Sequence, residues 1–140
     1  MNKVFLDSNV YIAGFASETG ASNAIIKLAS KKHFELHICR LVVEESIRNF
    51  KNKLPRSLPD FTLALNELKL LFIEQPTKLN RKLTKFFPKE TDQIIFETAQ
   101  EAKVDYFVSL NRKHFHGATI KSIASFKILT PAEFLDAMRK

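Results

Sequence analysis

Hydrophobic and polar positions along this chain follow two alternating rhythms. From Lys3 to Leu6 an uninterrupted apolar run, Val4-Phe5-Leu6, stops abruptly at Asp7, as a short buried strand would. Between Ser22 and Lys32, Ala24, Ile25, Leu28 and Ala29 recur at helical spacing, with Ser22 as the expected N-cap. Phe34 to Cys39 then reads as a strand, with Phe34, Leu36 and Ile38 alternating against Glu35 and His37. A helix over Leu41 to Lys53 follows, expected to bury Val43, Ile47, Phe50 and, just beyond it, Leu54.

Pro55 and Pro59 bracket a break, after which the pattern predicts a helix from Phe61 to Leu70 and a short strand at Leu71 to Glu74. Lys78 to Lys89 is basic and irregular. Thr91 is the expected cap of the next helix, whose apolar side carries Ile94, Ile95, Thr98, Ala99 and Ala102. Two more strands are expected, at Tyr106 to Ser109 and at Phe126 to Leu129. Thr130, Pro131 and Glu133 then spell a capping box at the start of the last helix. Strands alternating with helices imply an α/β fold, a three-layer α/β/α sandwich with a mostly parallel central sheet. Without an internal repeat or a linker, residues 1–140 read as a single domain.

Composition narrows this picture. The chain has 140 residues, 45% of them hydrophobic, with 13 Phe and no Trp, enough for a phenylalanine-rich core without staples. Cys39 is the sole cysteine, so neither an internal disulfide nor a CxxC zinc site is available, and a reducing, cytoplasmic setting is expected. Asp7 interrupts the first apolar run, which excludes a signal peptide, and no run approaches a membrane span. The formal charge of +7 raises the expectation of a polyanionic partner, although lysine also serves simply to keep a surface soluble.

The candidate chemistry is acidic. Asp7 closes the first strand, Glu44 and Glu45 lie early in the Leu41 helix, and Asp92 lies early in the Thr91 helix. Each alone fits a cap or a favourable position near a helix N-terminus. Together, however, they share the carboxyl edge of the sheet with Asn111, and converging carboxylates need a cation to offset their repulsion. Hard divalent ions prefer such oxygen ligands. Asp105 is separated from Asn111 by about 20 Å of extended chain and belongs at the opposite edge. The pair His114 and His116 is expected in a solvent-facing loop, not in a zinc site.

With these residues assembled, the chain resembles the PIN domain, a metal-dependent nuclease family that includes many bacterial toxin components. The matching stretches are VFLDSNVYI at Val4 to Ile12, LVVEESIRNF at Leu41 to Phe50, ETDQIIFETA at Glu90 to Ala99, DYFVSLNRKHF at Asp105 to Phe115, and ILTPAEFL near the end. The resemblance places the family's first three acids on Asp7, Glu45 and Asp92. A helical wheel is less decisive, because Glu44 borders the apolar stripe and Glu45 points away from it. Many relatives carry a fourth acid where this chain has Asn111.

The resemblance implies hydrolysis of RNA phosphodiesters with Mg²⁺ or Mn²⁺ held by Asp7, Glu45 and Asp92, and Asn111 beside them. Ser8, Asn9 and Ser109 are expected as supporting hydrogen-bonding groups, with Asn9 and Ser109 near substrate. Arg112 and Lys113, helped by the segment from Arg81 to Lys89, are expected to meet a phosphate backbone. Single-stranded RNA, an antitoxin protein and a second copy of the chain are the implied partners. The other implied reading is a catalytically weak or inactive module that binds RNA or protein. Unrelated phosphoryl-transfer folds fit less well: Asn9 stands where a DxD nucleophile motif needs its second Asp, and no acidic pair precedes the first strand as a receiver would require.

Overall fold

A computed structural model describes residues 1–139. Its sheet is all parallel, built from β1 (Lys3–Leu6), β2 (Glu35–Ile38), β3 (Leu71–Phe72), β4 (Tyr106–Val108) and β5 (Lys127–Leu129). The spatial order is β3-β2-β1-β4-β5, so the chain works outward from β1 on one side and then returns to its other side. That reversal opens a crevice at the carboxyl ends of β1 and β4, the usual place for a site in such sheets. Register there is tight: Leu6 pairs with Val108, and the Asp7 N–H donates to the Val108 carbonyl at 2.9 Å.

The helices are α1 (Ser8–Ala16), α2 (Ala21–Ser30), α3 (Arg40–Lys53), α4 (Leu58–Glu67), α5 (Glu90–Glu101), α6 (Arg112–Phe115), α7 (Ala118–Ile123) and α8 (Pro131–Arg139). Two 3₁₀ segments, Pro55–Ser57 and Arg81–Phe86, add order to stretches that read as irregular. Phe5 and Phe107 stack on one sheet face and continue through Phe115, Phe126 and Phe96, which brings α5 and α6 over that face. Tyr106 meets Phe134 of α8 on the other face, and Phe134 meets Phe34. A further aromatic group, Tyr11, Phe15, Phe50 and Phe61, locks α1 to α3 and α4.

Several element boundaries differ from the pattern-based expectation. Ser22 lies inside α2, whose cap is Gly20 at φ 99°, a left-handed conformation suited to glycine. Gly14 lets α1 and α2 approach closely, since a Cβ there would meet Ile26 Cγ1 at 3.0 Å and the Ser22 carbonyl oxygen at 3.2 Å. Lys89, not Thr91, caps α5, which puts Asp92 at its third position. Pro59 sits in the first turn of α4 rather than ending a break, because the amide hydrogen it lacks has no acceptor there.

The buried stripe of α3 is also displaced from the expected one. Val42, Ser46 and Phe50 are fully inside, while Val43, Ile47 and Leu54 are only partly covered. Ser46, a small polar residue, is tolerated in the interior even though its hydroxyl lacks a partner. His37 was expected on a polar strand face but is buried, because helices cover both faces of this sheet. Neither of its ring nitrogens has a hydrogen bond, and Glu35 Oε2 stands 3.7 Å from Nε2, too far for one. Burial pushes the His37 pKa down, and Glu35 opposes that only in part.

Candidate active site

Asp7 follows β1 directly and caps α1. Its Oδ1 accepts the Ser8 N–H at 2.8 Å, while Oδ2 accepts the Asn9 amide at 3.1 Å and the Ser109 hydroxyl at 2.8 Å. Five residues from two strand ends are therefore tied together, because Asn9 Oδ1 also accepts the Leu110 N–H at 3.0 Å. Burial raises the Asp7 pKa, with Asp92 adding to it, and the hydrogen bonds from Ser109, Ser8 and Asn9 pull the other way. A carboxylate held by three donors is rigid, yet here it remains costly to ionise.

Glu44 and Glu45 part company on α3. Glu44 is exposed and pairs with Arg40 at 3.2 Å, an ordinary surface contact along the helix. Glu45 turns inward, and its Oε1 is buried without any hydrogen-bond partner. Its pKa is pushed up to about 6, first by burial and then by the charges of Asp7 and Asp92, against the weaker pull of Arg48 and Lys89. The displaced stripe explains this: with Val42, Ser46 and Phe50 inside, Glu45 borders the buried face instead of opposing it.

Asp92 is buried in the first turn of α5, where the helix dipole favours a negative charge. Burial nevertheless raises its pKa, and His114 and Lys89 counteract it. His114 Nδ1 lies 2.6 Å from Asp92 Oδ2. At that distance His114 supports the ionised Asp92 both as a hydrogen-bonding partner and as a positive charge. The expectation of a solvent-facing His114 is therefore corrected: α6, a turn of helix the sequence did not signal, folds the ring back onto α5. His116 is also engaged, its Nε2 lying 2.7 Å from the Ser109 carbonyl oxygen.

Asn111 caps α6. Its Oδ1 accepts the His114 N–H at 3.2 Å, its Nδ2 lies 3.0 Å from His114 Nδ1, and its own N–H donates to Ser109 Oγ at 3.0 Å. Asp105 stands at the far edge of the sheet, as expected, accepting the Lys3 N–H at 2.8 Å. Lys113 is exposed on α6. Arg112 faces elsewhere: it lines a shallow hollow with Ala13, Ser22, Leu110 and Thr130. Lys89, whose charge reaches both Glu45 and Asp92, is the cation of the basic segment nearest the acids.

Shape alone would not have found this place. A surface hollow of about 850 Å³ lies instead at the opposite side, lined by Lys27, Lys31, His33 and Tyr106 among others. Among the described residues, no three His, Cys, Asp or Glu side chains are drawn tightly enough together to enclose an ion. The donor set nonetheless suits a hard divalent cation. Asp7, Glu45 and Asp92 press on one another's charge, and one buried carboxylate oxygen, Glu45 Oε1, lacks any proton donor.

A parallel α/β/α sandwich with buried carboxylates at its crossover edge is an arrangement shared by several classes of proteins, and sequence comparison selects among them. The PIN domain family model matches residues 3–113, and the chain belongs to that family. Among solved structures it is similar to a chain of VapBC2 from Rickettsia felis, in a crystal structure bound to a DNA fragment from their promoter. The two are 16% identical, with TM-score 0.67, covering 91% of this chain and 98% of that one. A chain of DNA-bound VapBC from Salmonella typhimurium is 18% identical, with TM-score 0.68, covering 94% of this chain and 99% of that one. At such identities the likeness speaks for the fold. A search of curated protein sequences gives no match.

Proposed function

We propose that this protein is a metal-dependent endoribonuclease and the toxin half of a toxin–antitoxin pair. The observation that carries this reading is the mutual charge of Asp7, Glu45 and Asp92, with the buried Glu45 Oε1 left without a donor. Such an oxygen is expensive in a folded protein unless a cation joins it. PIN family membership supports nuclease chemistry, and likeness to chains of VapBC complexes supports a protein antitoxin as partner. A cytoplasmic setting and a second copy of the chain belong to the same reading. No helix among the described residues is long and apolar enough to cross a membrane.

In this reading Asp7, Glu45 and Asp92 would hold Mg²⁺ or Mn²⁺, which would supply positive charge at a phosphate oxygen and acidify water. The chain's own residues do the rest. Ser109, Asn9 and the Ser8 N–H fix the Asp7 carboxylate against β4, so its free lone pairs keep one direction. Glu45 Oε1, free of any donor, keeps its lone pairs open toward the cation. Lys113 and Lys89 offer positive charge to the incoming phosphate backbone, and Arg112 serves a more distant stretch of the strand along its own hollow.

A second reading has its own observation. Asn111 spends its side chain on His114 and on capping α6, so no fourth carboxylate strengthens the site. This favours a catalytically weak or inactive module that binds RNA or protein. Incubation of the protein with single-stranded RNA and Mg²⁺ or Mn²⁺, beside Asp7→Asn and Asp92→Asn, separates the two. The nuclease reading expects cleavage lost in both variants. Binding without cleavage in either metal would establish the second reading, and cleavage surviving both substitutions would remove the site from consideration.

A further inference from the structure

The structure assigns a phosphate subsite to the hollow beside Arg112. The uncapped N-terminus of α2, the buried Ser22 hydroxyl and the Arg112 guanidinium together hold one phosphodiester of a single-stranded RNA, apart from the scissile one. The inference rests on the nuclease reading above and deepens it.

Ser22 reads in the sequence as the cap of α2, but Gly20 takes that place and no side chain bonds the helix end. The first N–H with an acceptor in the helix is that of Ala24, which donates to the Gly20 carbonyl at 3.1 Å. The N–H groups of Ala21 and Ser22 are left over. With ten residues, α2 is long enough to present the positive end of its dipole there. Release from capping also leaves the Ser22 hydroxyl idle. Ser22 is 7% exposed, and its Oγ shares a hydrogen bond with no described residue. It lines a hollow of about 320 Å³, so what little of it meets solvent faces that hollow. A buried hydroxyl and two main-chain donors thus converge without an acceptor.

The other walls suit the same ligand. Arg112 lines the hollow, is exposed, and pairs with no carboxylate among the described residues. No Asp or Glu is in the lining. The acid in the first turn of α8, Glu133, is taken up by the Thr130 N–H at 2.8 Å and lies among the charges of Lys121 and His116. A phosphate has oxygens enough to answer the N–H groups, the hydroxyl and the guanidinium fork at once. Its place along a strand follows from the chain. Leu110 and Arg112 line the hollow, and Asn111 between them donates to Ser109, whose hydroxyl holds Asp7. An RNA with one phosphate at the acids therefore brings a neighbouring phosphate to the hollow.

Fluorescence anisotropy of a short oligouridylate, with divalent ions withheld so that nothing is cut, tests this on the full chain. Wild type is compared with Arg112→Gln and Ser22→Asp. The helix dipole favours an acid in the first turn of α2, so Ser22→Asp should keep its fold while its charge repels phosphate. Each variant is expected to bind about tenfold more weakly, and Arg112→Gln to flatten the slope of log K against log salt by about 0.7. Methylphosphonates placed singly along the RNA should reveal one position, distinct from the bond cut once Mn²⁺ is added. Its neutralisation should cost the wild type about tenfold and Arg112→Gln almost nothing. Wild-type affinity and salt slope in both variants would overturn the subsite and leave the acidic site standing, as would equal methylphosphonate losses in the two proteins. Inorganic phosphate that raises the wild-type Tm without competing with the RNA would make the hollow a small-anion site and overturn its assignment to the strand. No RNA binding by the wild type would overturn both readings.

Discussion

The Ser109 hydroxyl donates to Asp7 Oδ2 at 2.8 Å across 102 positions of sequence, and it joins the carboxyl ends of two adjacent strands. The same oxygen accepts the Asn111 N–H at 3.0 Å, so one buried hydroxyl also anchors the turn into α6. Ser109→Ala should cost about 1–2 kcal/mol, because it removes one donor from the buried Asp7 carboxylate and leaves the Asn111 N–H without its acceptor. Urea unfolding measures this, and a midpoint equal to the wild type would contradict it.

Glu45 supplies a pH dependence with a definite sign. Its pKa rises from 4.5 to about 6 in the fold, first through burial and then through Asp7 and Asp92. A carboxyl raised in this way contributes its full stability below the unfolded value and loses it as pH climbs through the folded value. Without divalent ions, Glu45→Gln should melt with the wild type below pH 4.5 and roughly 1 kcal/mol more stably above pH 6. The lowered pKa of His37 acts in the opposite direction as pH falls, so the difference between the two proteins is the quantity to plot. A difference that is flat across this range would refute the burial argument.

The capping box of α8 is expected to be independent of the site. Thr130 Oγ1 accepts the Glu133 N–H at 3.2 Å, and Glu133 Oε1 accepts the Thr130 N–H at 2.8 Å. Thr130→Ala should lower stability by about 1 kcal/mol. Divalent-ion affinity, followed by calorimetry, should not move; a large loss of affinity would mean that α8 supports the acidic edge after all.

Asn111→Asp should tighten divalent-cation binding. An aspartate keeps the cap on α6 through one oxygen and presents the other where Nδ2 now faces His114. Calorimetry with Mn²⁺ would show a lower Kd; unchanged or weaker binding would place Asn111 outside the cation's reach.

Much of this was legible in the chain, for identifiable reasons. Asp7 ends an apolar strand, and strand ends at a parallel-sheet crossover are where sites form, so its position followed from pattern alone. Asp105 was correctly sent to the far edge by counting residues along a strand, and the α8 cap was read from three residues. His114 was not legible, because only the turn of α6, four residues long, carries the ring to Asp92. His37 misled for another reason: alternation marks an outer face only where one exists, and this sheet has none at β2. The choice between Glu44 and Glu45 turned on which residues of α3 are buried, and burial of the small polar Ser46 shifted that stripe by one position.

The central claim is that Asp7, Glu45 and Asp92 form a cation site whose cost in the ion-free protein is their unshared negative charge. Thermal melting near neutral pH, with and without Mg²⁺ or Mn²⁺, tests it most directly in the wild type and Glu45→Gln, whose Oε1 has no hydrogen bond to lose. Glu45→Gln should melt higher than the wild type without metal, and added metal should raise the wild-type Tm more than that of the variant. A wild-type Tm indifferent to both metals, or an equal rise in the two proteins, would contradict it.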